Sequence, residues 1–356
     1  MEHTELKSSL IQPDDLILIT GASGFIGSRL VQTLLDRGFR NLRCFVRASS
    51  KVARLKDLAG SNSGARIELL RGNLLSRLDC EHATTDVAVV YHLAAARGEK
   101  SVPDAFMNSV VTTRNLIEAA LLQKNLRRFV NVSSFAVYTN RQKRRGKILD
   151  EACPIENEPQ ATGDAYCFAK VKQEEIVAEY GKKYGMPYVI VRPGYVYGPG
   201  NVGISGRVGI DLFGLFLHLG GSNPIPFTYV DNCAAAIALA GLKNGVDGEI
   251  FNVVDDDLPS SREFLRLFKK NVGPFASLYV PHILSYALCY LWERYSAWSE
   301  EQLAPVYNRK KWHAYWKKTR YSNEKVKASL GWTPTVSMAA GLGKYFQACR
   351  GTESNA

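Results

Sequence analysis

The sequence lacks the marks of a disulfide-stabilised, metal-binding or membrane-spanning protein. Its seven cysteines are scattered without a C-x-x-C pair, which argues against both a disulfide framework and a zinc site. No histidine or carboxylate cluster has metal-ligand spacing, so we predict no metal. The first 15 residues include five charged side chains and no apolar core, and no apolar run reaches the roughly 18 residues of a membrane span. These absences predict a reduced, cytoplasmic protein with no visible signal peptide.

The composition is that of a folded globular protein. With 356 residues, 46% of them hydrophobic and 22% charged, the chain fits one large domain or two intimate ones. The net charge of +11 suits a polyanion, an anionic membrane surface or an acidic small molecule such as a phosphorylated cofactor. The net charge therefore indicates that a partner would be negatively charged, but it does not indicate which class of molecule that partner belongs to.

An alternation of strand and helix patterns runs through the first half of the chain. It predicts an α/β fold, a Rossmann-type doubly wound parallel sheet with helices on both faces. Beyond Gly198 the pattern loosens, which predicts a dinucleotide-binding domain over 1–198 and a smaller mixed α/β substrate subdomain over 199–356. Strands at 188–192 and near 249–254 are expected to cross back to the main domain. The predicted strands of the first domain lie at 16–20, 42–46, 66–71, 87–93, 128–133 and 188–192, and predicted helices lie at about 24–37 and 105–124.

A glycine-rich turn follows the first strand and opens a helix, in Thr20-Gly-Ala-Ser-Gly-Phe-Ile-Gly27. Gly21 permits a tight turn, Gly24 lets a pyrophosphate approach the backbone, and Gly27 lets helix and strand pack closely. The helix N-terminus attracts the anion. This context predicts a dinucleotide site.

The end of the second strand indicates which dinucleotide is bound. NAD-binding units place a carboxylate there for the ribose hydroxyl, whereas this chain has Arg47, followed by Ser49, Ser50 and Lys51. A guanidinium can bind a 2′-phosphate that a carboxylate would repel. We therefore predict NADP as the cofactor, with NAD as the alternative.

Tyr166 and Lys170 are four residues apart, so both project from one face if the segment is helical. A phenol titrates near pH 10, and a neighbouring ammonium would favour the phenolate and lower that pKa. Ser134, at the end of the fifth strand, is placed to hold a substrate oxygen. The three side chains predict proton transfer to or from a carbonyl or hydroxyl.

Seven segments together resemble an extended short-chain dehydrogenase/reductase of the NAD-dependent epimerase/dehydratase superfamily, in the order that this family has. The matching segments are Gly21 to Gly27, His92-Leu-Ala-Ala95, Val132-Ser-Ser-Phe-Ala-Val-Tyr138, Tyr166 to Lys170, Arg192-Pro-Gly-Tyr-Val-Tyr-Gly-Pro199, Phe227-Thr-Tyr-Val-Asp-Asn232 and Leu330-Gly-Trp-Thr-Pro334.

The resemblance implies roles for the matched positions and suggests a homodimer. Ser134, Tyr166 and Lys170 would form the catalytic triad, with Lys170 also holding the nicotinamide ribose. The implied cofactor-binding set is Gly21, Ser23, Gly24, Phe25, Ile26, Gly27, Arg47, Asn73, Leu74, Leu93, Ala94, Ala95, Tyr166, Lys170 and Pro193. His92 is interpreted as a hydrogen-bonded core residue.

Some positions depart from the family pattern. Asn73 replaces the usual acidic residue near the adenine, and the family's N-x-x-G-T-x-N-L run falls on residues 109–116 with its first Asn and its Gly altered. Phe135 and Ala136 replace the Asp-Glu pair of the sugar dehydratases, so dehydration is not expected. Residues 224–231 replace the Arg-Asp-Phe segment of nucleotide-sugar epimerases and resemble the hydroxysteroid dehydrogenase and dihydroflavonol reductase branches.

These features favour an oxidoreductase that interconverts an alcohol and a ketone or aldehyde, with a small-molecule substrate and no nucleic acid. A nucleotide-sugar epimerase with tightly bound cofactor is the alternative. A non-catalytic cofactor sensor is a third, which the intact Ser134, Tyr166 and Lys170 disfavour.

Two segments of the second half admit more than one interpretation. Residues 277–292 are apolar nearly all round, and we favour a packed helix over one that lies on a membrane or lines an apolar pocket. Residues 309–320 interleave cations with aromatic side chains, and we favour a packed element over an anion-binding one. The basic run 141–147 is expected to form a solvated loop.

Overall fold

A seven-stranded parallel sheet forms the centre of the protein. The structure, a computed structural model, describes residues 9–62, 64–95, 101–141, 148–162, 164–299 and 307–353. The strands of the protein are β1 Ile17–Thr20, β2 Asn41–Val46, β3 Arg66–Arg71, β4 Val89–His92, β5 Arg128–Val132, β6 Ile148–Leu149, β7 Tyr188–Pro193, β8 Tyr195–Tyr197, β9 Gly209–Leu212, β10 Leu215–His218, β11 Phe227–Tyr229, β12 Ile250–Val253, β13 Ser277–Tyr279 and β14 Arg320–Tyr321. The strand order in the central sheet is β12-β7-β5-β4-β1-β2-β3.

This sheet confirms the predicted Rossmann-type fold, because each of the six predicted strands overlaps one of its strands and all neighbours pair in parallel. Residues alternate between the two faces of a strand. Ile17 and Ile19 of β1 therefore join one apolar core, and Leu18 joins the other. Two covered faces explain why β1, β4 and β5 are buried along their whole length.

Helices cover both faces of this sheet and build much of the second half. The predicted helix at 105–124 is interrupted, because a π-helical turn at Phe106–Val111 separates two α-helical parts. The helices are α1 Phe25–Asp36, α2 Ala53–Ser61, α3 Arg77–Thr84, α4 Val102–Ala105, α5 Thr112–Leu121, α6 Ala165–Tyr184, α7 Val230–Leu242, α8 Ser261–Asn271, α9 His282–Trp298, α10 Arg309–Tyr315, α11 Glu324–Leu330 and α12 Met338–Glu353, with 3-10 turns at Phe135–Val137 and Pro159–Thr162.

The chain after residue 198 forms small sheets and also returns to the central one. β13, β10 and β9 form a three-stranded sheet, while β8 pairs with β11 and β6 with β14. β12 pairs with β7, Ile250 opposite Ile190, which is the crossing expected near 249–254. The domain boundary at residue 198 stays a prediction.

A buried polar network joins two of the matched segments. The Asp255 carboxylate accepts hydrogen bonds from the Tyr229 backbone and from Asn232 Nδ2, at 2.8 and 3.1 Å. Asn232 Oδ1 accepts from the Val336 backbone, and its carbonyl accepts from Trp332 Nε1. The segments around Asn232 and Trp332 therefore fix the C-terminal part of the chain to the core.

Three sequence interpretations of the second half have different outcomes. In 309–320, Trp316 is buried and Trp312 and Tyr315 pack against its cluster, which confirms a packed element. In α9, by contrast, the larger apolar side chains are exposed, so a packed helix is wrong for that face. Residues 142–147 of the basic run lie outside the described residues.

Candidate active site

The glycine turn between β1 and α1 has the shape of a phosphate cradle. Gly21 has φ +70°, and a Cβ there would lie 2.9 Å from the Ala94 backbone nitrogen. A Cβ at Gly27 would lie 2.2 Å from the Gly21 carbonyl oxygen, so only glycine lets the helix approach the turn so closely. Gly24 caps α1 without a side chain, which leaves the helix N-terminus open to an anion. The turn fits a dinucleotide pyrophosphate.

A cleft of about 680 Å³ extends from this turn along the carboxyl ends of the central strands. Its walls bring together residues that are far apart in sequence, and they include every sequence-predicted site residue except Pro193. The predicted residues that line it are Gly21, Ser23, Gly24, Phe25, Ile26, Gly27, Arg47, Asn73, Leu74, Leu93, Ala94, Ala95, Ser134, Tyr166 and Lys170.

Pro193 is buried and does not line the cleft. It is the last residue of β7 and lies opposite Val253 in the central sheet. The chain reaches the cleft at the next residues, Gly194, Tyr195 and Val196.

Arg47 lies exposed at the end of β2 and lines the cleft together with Ser50. The loop is held by Arg71, which donates to the Ala48 carbonyl at 2.5 Å. Asn73 accepts from the Leu75 backbone at 3.0 Å, so its side-chain oxygen shapes the local turn. Among the described residues that line the cleft there is no aspartate or glutamate, whereas three are cationic, namely Arg47, Lys170 and Arg207. This balance favours an anionic ligand.

The start of α6 positions Tyr166 and Lys170. The Asp164 carboxylate caps the helix by accepting from the Tyr166 backbone at 3.0 Å, which places the tyrosine in the first turn. Lys170 Nζ lies 6.0 Å from the centroid of the Tyr166 ring. It donates to the Val132 carbonyl at 2.7 Å and to Gln173 Oε1 at 3.0 Å. These bonds fix the ammonium between α6 and the end of β5.

Burial decides the protonation of Lys170. The side chain is 4% exposed, and desolvation lowers its pKa from 10.5 to about 8, while nearby Glu174 opposes the shift. The ammonium can thus exist at neutral pH within the core, beside the phenol that it would tune.

Two serines end β5 at the cleft. Ser134 caps the short 3-10 turn, and its Oγ accepts from the Ala136 backbone at 3.2 Å. The hydroxyl oxygen of buried Ser133 has no hydrogen-bond partner among the described residues, although Ser133 also lines the cleft. An orphaned buried hydroxyl at this point fits a site that is completed by a ligand.

His92 has a structural role, as the sequence indicates. Its two ring nitrogens lie 2.8 and 2.9 Å from the hydroxyls of Thr20 and Thr113. Burial, with a smaller contribution from Lys170, lowers its pKa to about 3. His92 therefore stays neutral and braces β1 and β4 against α5.

Sequence reasoning missed Asn108 and Thr112, which line the cleft at the π-helical turn. The family Asn aligns with Ser109, which is buried instead. A π-helical turn accommodates one extra residue, so the preceding residue, Asn108, reaches the cleft. The signal in the sequence was that Asn108 stands directly before Ser109, the position where the family has its asparagine.

Arg207 and Tyr315 form another part of the cleft wall and were also missed. The Arg207 guanidinium stacks on the Tyr315 ring at 4.9 Å and donates to the Ala314 carbonyl at 2.9 Å. Ser205 and Gly206 complete this wall. Nothing in the local sequence marks these residues, because only the tertiary fold brings α10 to the loop after β8.

The family model for the NAD dependent epimerase/dehydratase family matches residues 17–253. Cinnamoyl-CoA reductase 1 of Oryza sativa subsp. japonica is 35% identical over 188 residues, covering 52% of this chain and 54% of that protein. UDP-N-acetyl-alpha-D-glucosaminuronate decarboxylase of Bacillus cytotoxicus is 28% identical over 260 residues, covering 69% and 77%. The chain thus spans about half the length of the cinnamoyl-CoA reductases that it matches.

Solved structures share the whole fold. UDP-glucuronic acid 4-epimerase from Bacillus cereus, in complex with NAD, aligns with a TM-score of 0.68 at 22% identity, over 95% of this chain and 99% of that one. UDP-glucose 4-epimerase from Thermotoga maritima gives the same score, identity and coverage.

Proposed function

The chain belongs to the NAD dependent epimerase/dehydratase family, and on that premise we propose that it is an NADP-dependent oxidoreductase that interconverts an alcohol and a ketone or aldehyde. The observation that carries the proposal is the joint presence of Ser134, Tyr166 and Lys170 in a cleft that begins at the glycine turn.

Each of these side chains has a distinct task in carbonyl reduction. The nicotinamide, when bound, supplies the hydride, and in the reverse direction accepts it. Ser134 Oγ donates a hydrogen bond to the substrate carbonyl oxygen and holds it near the phenol. Tyr166 gives its proton to that oxygen as charge develops there. Lys170, fixed by Val132 and Gln173, stabilises the resulting phenolate.

The preference for NADP rests on Arg47. Its guanidinium lies at the end of β2, where a carboxylate would select NAD, and no carboxylate lines the described part of the cleft. Arg47→Asp should weaken NADPH binding by about 10- to 100-fold, the worth of a charge-assisted hydrogen bond. NADH binding should be unchanged or stronger.

Dissociation constants for both cofactors, measured by fluorescence titration, test this preference. Arg127→Asp is the control, because Arg127 is exposed and lies outside the cleft lining while the change in charge is identical. An equal effect of the two substitutions, or an unchanged preference in Arg47→Asp, refutes the proposed phosphate contact.

Two features favour a reductase over the sugar-nucleotide enzymes. Phe135 and Ala136 carry no group for the proton transfers of dehydration. The segment 224–231 offers no guanidinium for a sugar diphosphate, and its Phe227 is buried against Tyr195 and Phe264.

One observation supports the epimerase alternative. Arg207 lines the same cleft as the catalytic side chains and offers a different guanidinium to an anionic substrate. A single assay separates the two functions: NADPH oxidation with a panel of ketones and aldehydes, beside conversion of UDP-sugars. Net NADPH consumption supports the reductase. Sugar interconversion without net consumption, with cofactor retained on the purified protein, supports the epimerase instead.

We also infer a cytoplasmic protein that forms a homodimer. The scattered spacing of the cysteines in the sequence supports the first inference, and the family resemblance supports the second. All seven cysteines lie in the described ranges, and none of them forms a disulfide. Sedimentation of the purified protein tests the dimer, and a purely monomeric species at assay concentrations contradicts it.

A further inference from the structure

Helix α9 has its large apolar side chains on the outside. Ile283 is 87% exposed and Trp298 78% exposed, at opposite ends of the helix. Between these two residues the outward side of the helix carries further apolar residues. It also carries one exposed charged residue, Arg294. We call this surface the apolar face; it consists of Ile283, Leu284, Leu288, Leu291, Tyr295 and Trp298.

The inward side of α9 is built from small and polar residues. Ser285, Cys289 and Ser296 are buried. Trp312 Nε1 donates to Ser285 Oγ at 2.9 Å, and Cys289 packs in one cluster with Trp316. Helix α9 therefore packs against α10 and against Trp316, which directly follows α10. Because these contacts use the inward side of α9, the apolar face points away from the protein.

The three-stranded sheet that packs against α9 also exposes leucines. Leu212 lies opposite Leu215, and Leu278 opposite Leu217, so all four side chains point to one side of the sheet. Leu217 on that side packs in the Cys289 cluster of α9. The other three leucines are exposed on the same side of the sheet, so apolar surface is present there as well as on α9.

A single aromatic residue projects from the hairpin between β9 and β10. Phe213 is 101% exposed and has φ +51°, a left-handed conformation that is costly for a bulky residue. Asp211 fixes the turn by accepting from the Gly214 backbone at 3.2 Å. An exposed phenylalanine in a strained turn gains nothing from packing within this chain, which points to a contact outside it.

Arginines surround the apolar face. Arg294 is exposed on α9, Arg309 stacks on Tyr290 at 4.9 Å, and Arg262 stacks on Tyr279 at 5.4 Å. Arg309 is paired with Glu293 at 2.7 Å, so that pair carries no net charge. Arg294 and Arg262 therefore supply the positive charge of the described rim, in keeping with the net charge of +11.

We propose that the apolar face and Phe213 dock the protein on an anionic lipid bilayer, with α9 lying in the plane of the headgroups. Contiguous exposed apolar surface is rare on soluble monomers and marks an interaction site. Leucines flanked by tyrosine and tryptophan, with arginine at the rim, match the chemistry of the bilayer interface. No helix in the described ranges is long and apolar enough to cross a membrane.

Vesicle flotation of the full-length protein tests the proposal, with phosphatidylcholine vesicles that contain or lack phosphatidylserine. The wild type should float with the anionic vesicles and bind neutral ones more weakly, and salt should reduce the difference. A Leu288→Glu/Leu291→Glu variant should bind at least about tenfold more weakly, because two exposed leucines that the bilayer would cover are replaced by carboxylates that the anionic lipid repels. Phe213→Asp, far from α9 in sequence, is a second variant that does not depend on the folding of the first.

Leu78→Glu is the matched control, because Leu78 is an exposed leucine on α3, outside the apolar face. It should bind vesicles as the wild type does. Trp298 gives an independent readout: anionic vesicles should shift the tryptophan emission of the wild type to the blue, and Trp298→Phe should reduce that shift.

Three results would overturn the proposal. They are failure of the wild type to bind anionic vesicles, equal binding by the wild type and both variants, and equal binding to neutral vesicles. Self-association that the Leu288→Glu/Leu291→Glu variant abolishes, in a protein that ignores vesicles, would assign the face to a second copy of the chain. None of these results depends on turnover, so they are independent of the proposed function.

Discussion

Helices α6 and α9 distribute polar and apolar side chains in opposite ways. α6 buries Lys170, Gln173 and Glu174, each with defined partners, against the central sheet. α9 buries two serines and a cysteine and exposes leucines and aromatic residues. Both helices depart from the usual amphipathic pattern, in which polar residues face water.

The two helices depart from the amphipathic pattern for different physical reasons. A charge inside the protein is costly unless it is paired, so a buried ammonium and a buried carboxylate on α6 indicate chemistry or a structural requirement. An apolar residue in water is also unfavourable, so a row of them on α9 indicates a surface that is covered in use. Variants on the two helices separate these explanations.

The largest effect is expected at Tyr166, on the cleft side of α6. Tyr166→Phe should lower kcat by about 10²- to 10⁴-fold, because general acid–base transfer is lost. Cofactor binding should persist, since the ring remains and only the hydroxyl is removed. Steady-state kinetics and a cofactor titration on the same sample test this, and near-wild-type turnover would sink the assignment.

A large loss of stability is expected at the buried ion pair that α6 forms with β7. Glu174 accepts from Arg192 at 2.9 and 2.6 Å, and both side chains are 4% exposed. Glu174→Gln leaves the guanidinium buried without a counter-charge, which should lower the free energy of unfolding by about 3–5 kcal/mol.

Glu175→Gln, on the same helix, is the control for this loss. Its partner Lys172 lies 2.6 Å away, but the two side chains are 47% and 32% exposed. That pair should contribute at most about 1 kcal/mol. Equal losses in the two variants, measured by urea denaturation, would mean that burial of the Arg192 pair does not matter.

A smaller effect is expected in the pH dependence of turnover. The pKa of buried Lys170 is lowered to about 8, so the ammonium is present below that pH and is lost above it. kcat/KM should therefore fall above about pH 8, by up to about tenfold per pH unit. The free energy of unfolding should change in the opposite direction, increasing with pH. Between about pH 8 and 10.5 the lysine is protonated in the unfolded chain and deprotonated in the folded one, so raising the pH makes unfolding less favourable.

Lys170→Arg tests the origin of this limb, because a guanidinium keeps its charge throughout the range. Whatever activity remains should no longer fall near pH 8. A falling limb that stays at the same pH in this variant would assign the titration to another group.

The smallest effect is expected on the outside of α9. Leu291→Ala should change the free energy of unfolding by less than about 0.5 kcal/mol, because the side chain is exposed. Ile176→Ala, at a buried position of α6, should cost about 2–5 kcal/mol. A comparable cost at Leu291 would show that α9 is packed in solution, by a second copy or by another part of the chain.

Much of the cofactor half could be read from sequence, because its signals are local. The glycines of the turn, the buried-strand patterns and the Tyr166–Lys170 spacing each depend on neighbouring residues and on a known helical or strand period. Asn108 was missed because the π-helical turn shifts the helical register by one residue. Arg207 and Tyr315 were missed because loops and short helices follow no period.

The sequence by itself determined the parallel sheet, the glycine turn and the placement of Tyr166 and Lys170 on one helix, since periodicity and residue type suffice for these. Tertiary structure alone decided that Pro193 is buried away from the cleft lining, that Arg207 lines the cleft and that α9 turns its leucines outward. The physical reason is that an apolar run specifies a preference for burial but not the partner that buries it. In α9 the inward contacts belong to Ser285 and Cys289, and the leucines are left for a surface outside the chain.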